Sequence, residues 1–320
     1  VIAETLARPG ALYPSVQPHE SGMLDVGDGH QIYYEACGNP AGKPALFLHG
    51  GPGGGCYADH RRLFDPARYR IVLFDQRGCG KSRPLGEVAG NTTTALMDDI
   101  ERLRAHLRID RFVVLGGSWG AALALLYAQA YPERVDALVL RGVFTARRRE
   151  VDWLYKHGAS ELFPERWEKF AGFIPEAERD DLPRAYHRRL FGGDADVERE
   201  AARAWCTWEA ALMTLAPRAS NFSAGAGEHT RALARIEAHY FVNDAFIAEG
   251  RIIADMERVR HIPGVIVQGR YDVVTPPATA WEVHRLWPSS RLDMVNDAGH
   301  ATSEPGITRK LVEATDFFAR

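Results

Sequence analysis

The chain has 320 residues, 46% of them hydrophobic and 25% charged, and a formal net charge of −3. That balance fits a globular protein with one large α/β domain plus an insertion, or two domains. It lacks the basic excess that nucleic acid or an anionic membrane would require of a partner, and no apolar run reaches membrane-spanning length. Four cysteines (Cys37, Cys56, Cys79 and Cys206) are scattered without C-x-x-C spacing. This argues against a zinc site or a disulfide framework and for a reducing, cytoplasmic compartment.

Residues 1–21 are polar and Pro-rich and are expected to drape over the surface; residues 1–20 lack the apolar core of a signal peptide, and the missing initial Met suggests a processed or trimmed start. Residues 23–26 and 31–36 read as a β-hairpin around Gly27-Asp28-Gly29. Residues 45–48 form a short apolar strand running into His49-Gly50-Gly51-Pro52-Gly53-Gly54-Gly55, and residues 70–74 another, ending in Asp75-Gln76-Arg77-Gly78-Cys79-Gly80-Lys81-Ser82. Residues 91–107 carry Leu96, Ile100, Leu103 and Leu107 at helical spacing, with Asn91 or a neighbouring Thr as the cap. A strand over 112–115 precedes a helix over 119–131 that is apolar nearly all round and stops at Pro132, and a strand follows at 135–140. From about 146 to 258 the pattern turns helical and aromatic-rich, with Trp153, Tyr155, Phe163, Trp167, Phe170, Trp205, Trp208, Tyr240 and Phe241. Strands resume at 264–268 and 291–295, with helices at 279–286 and from about 305 to 318. The alternation implies a parallel sheet with helices on both faces. The middle segment reads as an inserted helical cap. The Arg147-Arg148-Arg149 run reads as a solvated face.

The chemistry is concentrated in Gly116-Gly117-Ser118-Trp119-Gly120, a G-x-S-x-G between a strand and a small-residue helix. In that setting the serine sits on a tight, strained turn above the sheet, and the glycines are there because a Cβ would collide. The bland alternative is a serine that merely caps the helix. A serine nucleophile needs a base, and the base an orienting carboxylate, in the order Ser, acid, His, each after a strand. Asp272 follows the strand at 264–268 and His300 the strand at 291–295, so both occupy the required places. His284 lies mid-helix, His261 precedes its strand, and Asp297 shares the histidine's own loop. An oxyanion would be held by the backbone N–H of Trp119 and by one from the glycine-rich loop, best Gly51. Gly78-Cys79-Gly80-Lys81-Ser82 imitates the end of a phosphate-binding loop, but Asp75 stands where its first glycine belongs, so a nucleotide role is rejected. No metal-binding set is present in the sequence.

In the cap, Trp205, Trp208, Glu209 and Leu212 share one helical face, and Glu237, Tyr240 and Phe241 repeat the arrangement. A carboxylate among aromatics is costly unless paired. Arg203 or Arg235 could pair with these glutamates, or both could face a cleft and bind a cationic substrate terminus.

The glycine-rich loop at 49–55, Asp75-Gln76-Arg77-Gly78-x-Gly80-x-Ser82, Asn91-Thr92-Thr93 and Gly116-Gly117-Ser118-Trp119-Gly120 together resemble the prolyl aminopeptidases (proline iminopeptidases) of the α/β-hydrolase fold. The resemblance continues through Leu140-Arg141-Gly142-Val143-Phe144, Trp205-x-x-Trp208-Glu209, Ala234-Arg235-Ile236-Glu237-x-His239-Tyr240-Phe241 and Gly269-Arg270-Tyr271-Asp272, covering nearly the whole chain from about residue 13. It implies an α/β-hydrolase domain over 1–145 and 259–320 with a helical cap domain over 146–258. It implies a serine exopeptidase that releases N-terminal proline from peptides, with no cofactor or metal. Ser118, Asp272 and His300 match the family's triad, and Glu209 and Glu237 its amino-group recognition. Phe144 and Phe241 fall in its proline pocket, and Arg141 joins them as a substrate-binding residue. A further wall falls on Trp153-Leu154-Tyr155, with Leu154 and Tyr155 both candidates. Expected partners are peptides with a free N-terminal proline, not nucleic acid or a membrane. The rival readings are an esterase or small-amide amidase of the same fold, and a non-catalytic binding protein on that scaffold.

Overall fold

The computed structural model describes residues 12–216 and 227–320; the first part of the N-terminal stretch expected to drape over the surface lies outside them. Eight strands form one sheet: β1 (Pro18–Gly27), β2 (His30–Gly38), β3 (Lys43–Leu48), β4 (Tyr69–Phe74), β5 (Phe112–Ser118), β6 (Val135–Val143), β7 (Gly264–Gly269) and β8 (Ser290–Val295). Their spatial order is β1-β2-β4-β3-β5-β6-β7-β8. The pairs β1/β2 and β2/β4 are antiparallel, and every pairing from β4 onward is parallel. β1 begins earlier than the sequence pattern indicates. Residues 18–21 do not drape: Pro18 pairs with Cys37 and Ser21 with Glu35, because an edge strand needs no buried apolar face to find ladder partners.

Strand β5 lies mid-sheet and is buried on both faces until its last residue, as a continuous apolar run predicts. On one face pack α1 (Thr93–His106) and α2 (Trp119–Ala130). Thr92 caps α1 by accepting from the Ala95 N–H at 3.3 Å. Between β6 and β7 the described elements are all helical: α3 (Arg148–Tyr155), α4 (Ala159–Leu162), α5 (Pro164–Gly172), α6 (Leu182–Leu190), α7 (Ala195–Leu212), α8 (Glu228–Val242), α9 (Arg251–Ala254) and intervening 3₁₀ turns. Then come α10 (Pro277–Leu286), on the same face as α2, and α11 (Pro305–Phe318), on the opposite face. The sheet is thus covered on both sides.

The aromatic residues of the middle segment pack on one another. Phe170 stacks on Tyr186 (4.6 Å, 6°) and on Trp208 (5.6 Å, 17°), and Tyr155 stacks on Trp205 (4.6 Å, 24°). This layer holds α3, α5, α6 and α7 together and sets the direction in which Glu209 projects. The arginine run is not uniformly solvated. Arg147 is buried and bonds Glu150 and Glu282 at 2.9 Å each, because it precedes α3 and turns inward, while Arg148 and Arg149 stay outside and pair with Asp152 and Glu282. Among the described residues no helix is long and apolar enough to cross a membrane.

Candidate active site

Strand β5 ends at Ser118, whose φ of 59° and ψ of −124° lie in a region that residues with a Cβ rarely adopt. The flanking glycines make the turn possible. A Cβ on Gly116 would sit 2.1 Å from the Gly120 carbonyl oxygen, and one on Gly120 would sit 2.1 Å from that of Leu48. The next residue, Trp119, opens α2, so its backbone N–H has no partner within the helix. Its indole is buried and donates to Gln76 Oε1 at 3.0 Å, which locks the turn against the loop after β4. The glycine-rich loop comes in from the other side: a Cβ on Gly50 would lie 3.7 Å from Ser118 Oγ, and Gly51 follows with a φ of +112°.

His300, on the loop after β8, is buried, and its Nδ1 lies 2.8 Å from Asp272 Oδ2. Asp272 also accepts from the Thr275 N–H (2.8 Å), Thr275 Oγ1 (2.9 Å) and Gln268 Nε2 (3.1 Å). A buried carboxyl group held by that many donors is fixed in place and directs Nδ1–H toward itself. The other imidazole nitrogen, Nε2, is engaged by Arg141 Nη1 at 2.8 Å. Ser118 Oγ makes no side-chain hydrogen bond among the described residues. Burial lowers the His300 pKa; Asp272 opposes this and the Arg141 cation adds to it. Burial also lowers Arg141, to about 10, which leaves it charged at neutral pH.

A cavity of about 500 Å³ opens over Ser118 and His300, bounded by the glycine-rich loop, β6 and helices α3, α7 and α8. Phe144 and Phe241 meet edge to face in its wall (6.3 Å, 78°), and Tyr155 lies 5.5 Å from Phe241. Glu209 and Glu237 both line it, their carboxyl groups hydrogen-bonded to each other. Glu209 accepts from the Tyr155 hydroxyl, and Glu237 accepts from Trp205 Nε1 at 2.7 Å. Burial, reinforced by the neighbouring Glu209, pushes Glu237 well above the usual carboxyl range; burial also raises Glu209. Two carboxyl groups in hydrogen-bond contact cannot both ionise, so the pair shares a proton. No arginine or lysine pairs with either carboxyl among the described residues. Arg235 turns away, donating to the carbonyls of Leu190 (2.5 Å) and Gly86 (3.3 Å).

A family model for the alpha/beta hydrolase fold matches residues 43–306. The chain is 51% identical to a probable proline iminopeptidase of Leptolyngbya boryana, covering 96% of both chains. It is 48% identical to a proline iminopeptidase of Arabidopsis thaliana, covering 98% of this chain and 83% of that one. The chain belongs to the proline iminopeptidase family. Among solved structures, an esterase from Exiguobacterium antarcticum superposes with a TM-score of 0.64 at 19% identity, covering 94% of this chain and 99% of that one; at that identity it shows the alpha/beta hydrolase fold alone.

Within this proline iminopeptidase framework, Ser118, His300, Gly51, Arg141, Glu209, Glu237, Phe144 and Phe241 all line the one cavity. Asp272 and the Trp119 ring lie behind it. Leu154 and Tyr155 both reach the cavity, and Tyr155 is the one bonded to Glu209. Tyr240 does not share the cavity with its helical neighbours. It turns toward the sheet domain, donating to Asn91 Oδ1 at 2.9 Å and packing on Trp119 at 5.0 Å. Sequence reasoning missed Thr275 and Trp205 as donors to the carboxyl groups. Thr275 was legible only as a hydroxyl three residues after Asp272, a spacing that lets it close a turn onto the aspartate. Nothing in the local pattern signals that the Trp205 indole meets Glu237, from a different helix.

Proposed function

We propose that this chain is a serine exopeptidase that releases N-terminal proline from peptides. One observation carries the reading: the cavity over Ser118 and His300 also contains two adjacent carboxyl groups with no cationic partner among the described residues. A buried carboxyl pair without a cation is suited to receive one from outside. As the prolyl ammonium enters, the carboxyl pair releases its proton to water and both carboxylates accept hydrogen bonds from the substrate. A blocked or internal proline would leave the pair without a counter-charge, so endopeptidase cleavage is disfavoured. Phe144 and Phe241 pack against the pyrrolidine ring.

Arg141 yields His300 Nε2 as the substrate settles, and the imidazole then takes the Ser118 proton. Free sites commonly leave such catalytic hydrogen bonds unmade until substrate tightens them. Asp272 holds Nδ1–H and stabilises the imidazolium. Ser118 Oγ attacks the prolyl carbonyl carbon, and the N–H groups of Gly51 and Trp119 hold the oxyanion. His300 gives the proton to the leaving peptide amine as the C–N bond breaks. Water, deprotonated by the same imidazole, hydrolyses the prolyl-enzyme ester. In this reading residues 146–258 act as a cap over the catalytic frame formed by 1–145 and 259–320. The four free cysteines support a cytoplasmic setting.

The test compares release from prolyl-, alanyl- and N-acetylprolyl-arylamides, with p-nitrophenyl acetate as ester control and Ser118→Ala as blank. Fast prolyl release, lost on N-acetylation and in the blank, is the expected result. Ester cleavage without prolyl release would favour an esterase, which keeps the triad and discards the ammonium site. Failure of Ser118 to react with a fluorophosphonate probe would favour a non-catalytic binding protein.

A further inference from the structure

A second cavity, of about 680 Å³, adjoins the first. The two share Gly54, Gly55 and Tyr57 from the glycine-rich loop and its extension, and Cys206, Ala210 and Leu233 from α7 and α8. Its wall carries two cations. Arg61 is neutralised by Glu35, which it grips at 2.6 and 2.8 Å. Lys81 is exposed and has no carboxylate partner among the described residues; its Nζ lies 4.3 Å above the Tyr33 ring. Its backbone, in contrast, is held firmly. Asp75 accepts from the Lys81 N–H with one oxygen and from the Cys56 N–H with the other, both at 2.7 Å. A Cβ on Gly80 would fall 2.2 Å from Asp75 Oδ2, so the chain can approach the aspartate only with glycine there. Lys81 and the end of the glycine-rich loop are therefore one unit, and the start of that loop borders Ser118.

We infer that this second cavity receives the leaving part of the substrate, and that Lys81 binds the C-terminal carboxylate of short peptides. The inference rests on the aminopeptidase reading above. A short free peptide carries an ammonium at one end and a carboxylate at the other. The protein presents its carboxyl pair, Glu209 and Glu237, in the first cavity and its unneutralised ammonium, Lys81, in the second, with Ser118 in the first. This charge order matches the peptide from N- to C-terminus and fixes the direction of binding. An extended peptide gains about 3.3–3.6 Å per residue, so the match holds only over a narrow range of lengths. Lys81 is thus a specificity residue rather than a catalytic one, and longer peptides pass it without benefit.

The experiment measures kcat/KM for Pro-Gly, Pro-Gly-Gly and Pro-Gly-Gly-Gly as free acids and as C-terminal amides, with a prolyl arylamide as reference. The enzymes are the wild-type protein, Lys81→Met and Lys81→Arg. At one of these lengths the wild type should favour the acid by about two- to fivefold, the upper part of the range for an exposed ion pair. The preference should reside in KM and shrink as salt screens the charge. Lys81→Met should erase it, Lys81→Arg should keep it, and arylamide hydrolysis should be the same in all three. Equal cleavage of acids and amides at every length, or a preference that survives in Lys81→Met, overturns the inference while arylamide cleavage leaves the aminopeptidase reading standing. A wild-type protein that does not cleave the arylamide overturns both.

Discussion

Arg141 donates to His300 across 2.8 Å, from Nη1 to Nε2, and so occupies the nitrogen that must accept the proton of a serine nucleophile. The guanidinium has room because residue 117 is glycine; a Cβ there would lie 2.5 Å from Arg141 Nη2. Its buried Nε has no hydrogen-bond partner among the described residues. A cation held against an imidazole disfavours imidazolium and keeps the base neutral. Arg141→Met should therefore raise the His300 pKa and move the acidic limb of the kcat/KM profile to higher pH. A pH series on prolyl arylamide tests this, and an unmoved limb would show that the two charges are not coupled.

The proton that the Glu237–Glu209 pair shares should be released when a cationic substrate binds. Because burial raises both groups, KM should increase as pH falls while still above the ordinary carboxyl range, without a matching fall in kcat. Glu237→Gln keeps the shape but cannot ionise. It should lower kcat/KM by at least about thirtyfold, the low end for breaking a buried charge pair. Its melting temperature should stay close to wild type, since the amide keeps the volume and can still donate a hydrogen bond to Glu209. Undiminished proline release by both Glu237→Gln and Glu209→Gln would refute the recognition claim.

Thr275 supports Asp272 twice, through its N–H at 2.8 Å and its hydroxyl at 2.9 Å, and the hydroxyl also lies 3.2 Å from His300 Nδ1. It borders the cavity, and both of these bonds hold the aspartate. Thr275→Val removes a hydrogen bond to a charged group, which contributes about 1.5–3 kcal/mol. The expected result is a fall of about tenfold or more in kcat with little change in KM, and recovery in Thr275→Ser. A rise in KM with kcat unchanged would show instead that the residue acts on substrate binding.

Gly116→Ala should damage the fold rather than the chemistry. Its new Cβ would meet the Gly120 carbonyl at 2.1 Å, backbone against backbone, with no flexible side chain to give way. A loss of about 1–3 kcal/mol is expected from such overpacking. Gly172, at the end of α5, has nothing within 4 Å of a built Cβ. Gly172→Ala should stay within about 0.5 kcal/mol of wild type, as a surface change does. Denaturant melts of the two variants make the comparison, and equal stability would contradict the close-packed turn.

Local pattern determined much of this protein. Apolar runs ending in glycine-rich loops located the sheet strands, because a strand buried on both faces must be apolar throughout. Helical spacing located α1, and an apolar run too long for a strand and stopped by Pro132 located α2. The positions of Ser118, Asp272 and His300 were legible for the same reason: each follows a strand, and parallel strands deliver their following loops to one edge of the sheet. The tertiary structure alone decided what those side chains meet. Arg141 and His300 are 159 residues apart, and Tyr155 and Glu209 are 54 apart. Whether two glutamates from α7 and α8 face an arginine or each other depends on how the aromatic layer sets the helices, which no periodicity encodes. The start of β1 and the burial of Arg147 escaped the sequence for a related reason. A polar edge strand and an inward-turning arginine are stabilised by partners distant in the chain, Cys37 and Glu35 for the strand and Glu282 for the arginine.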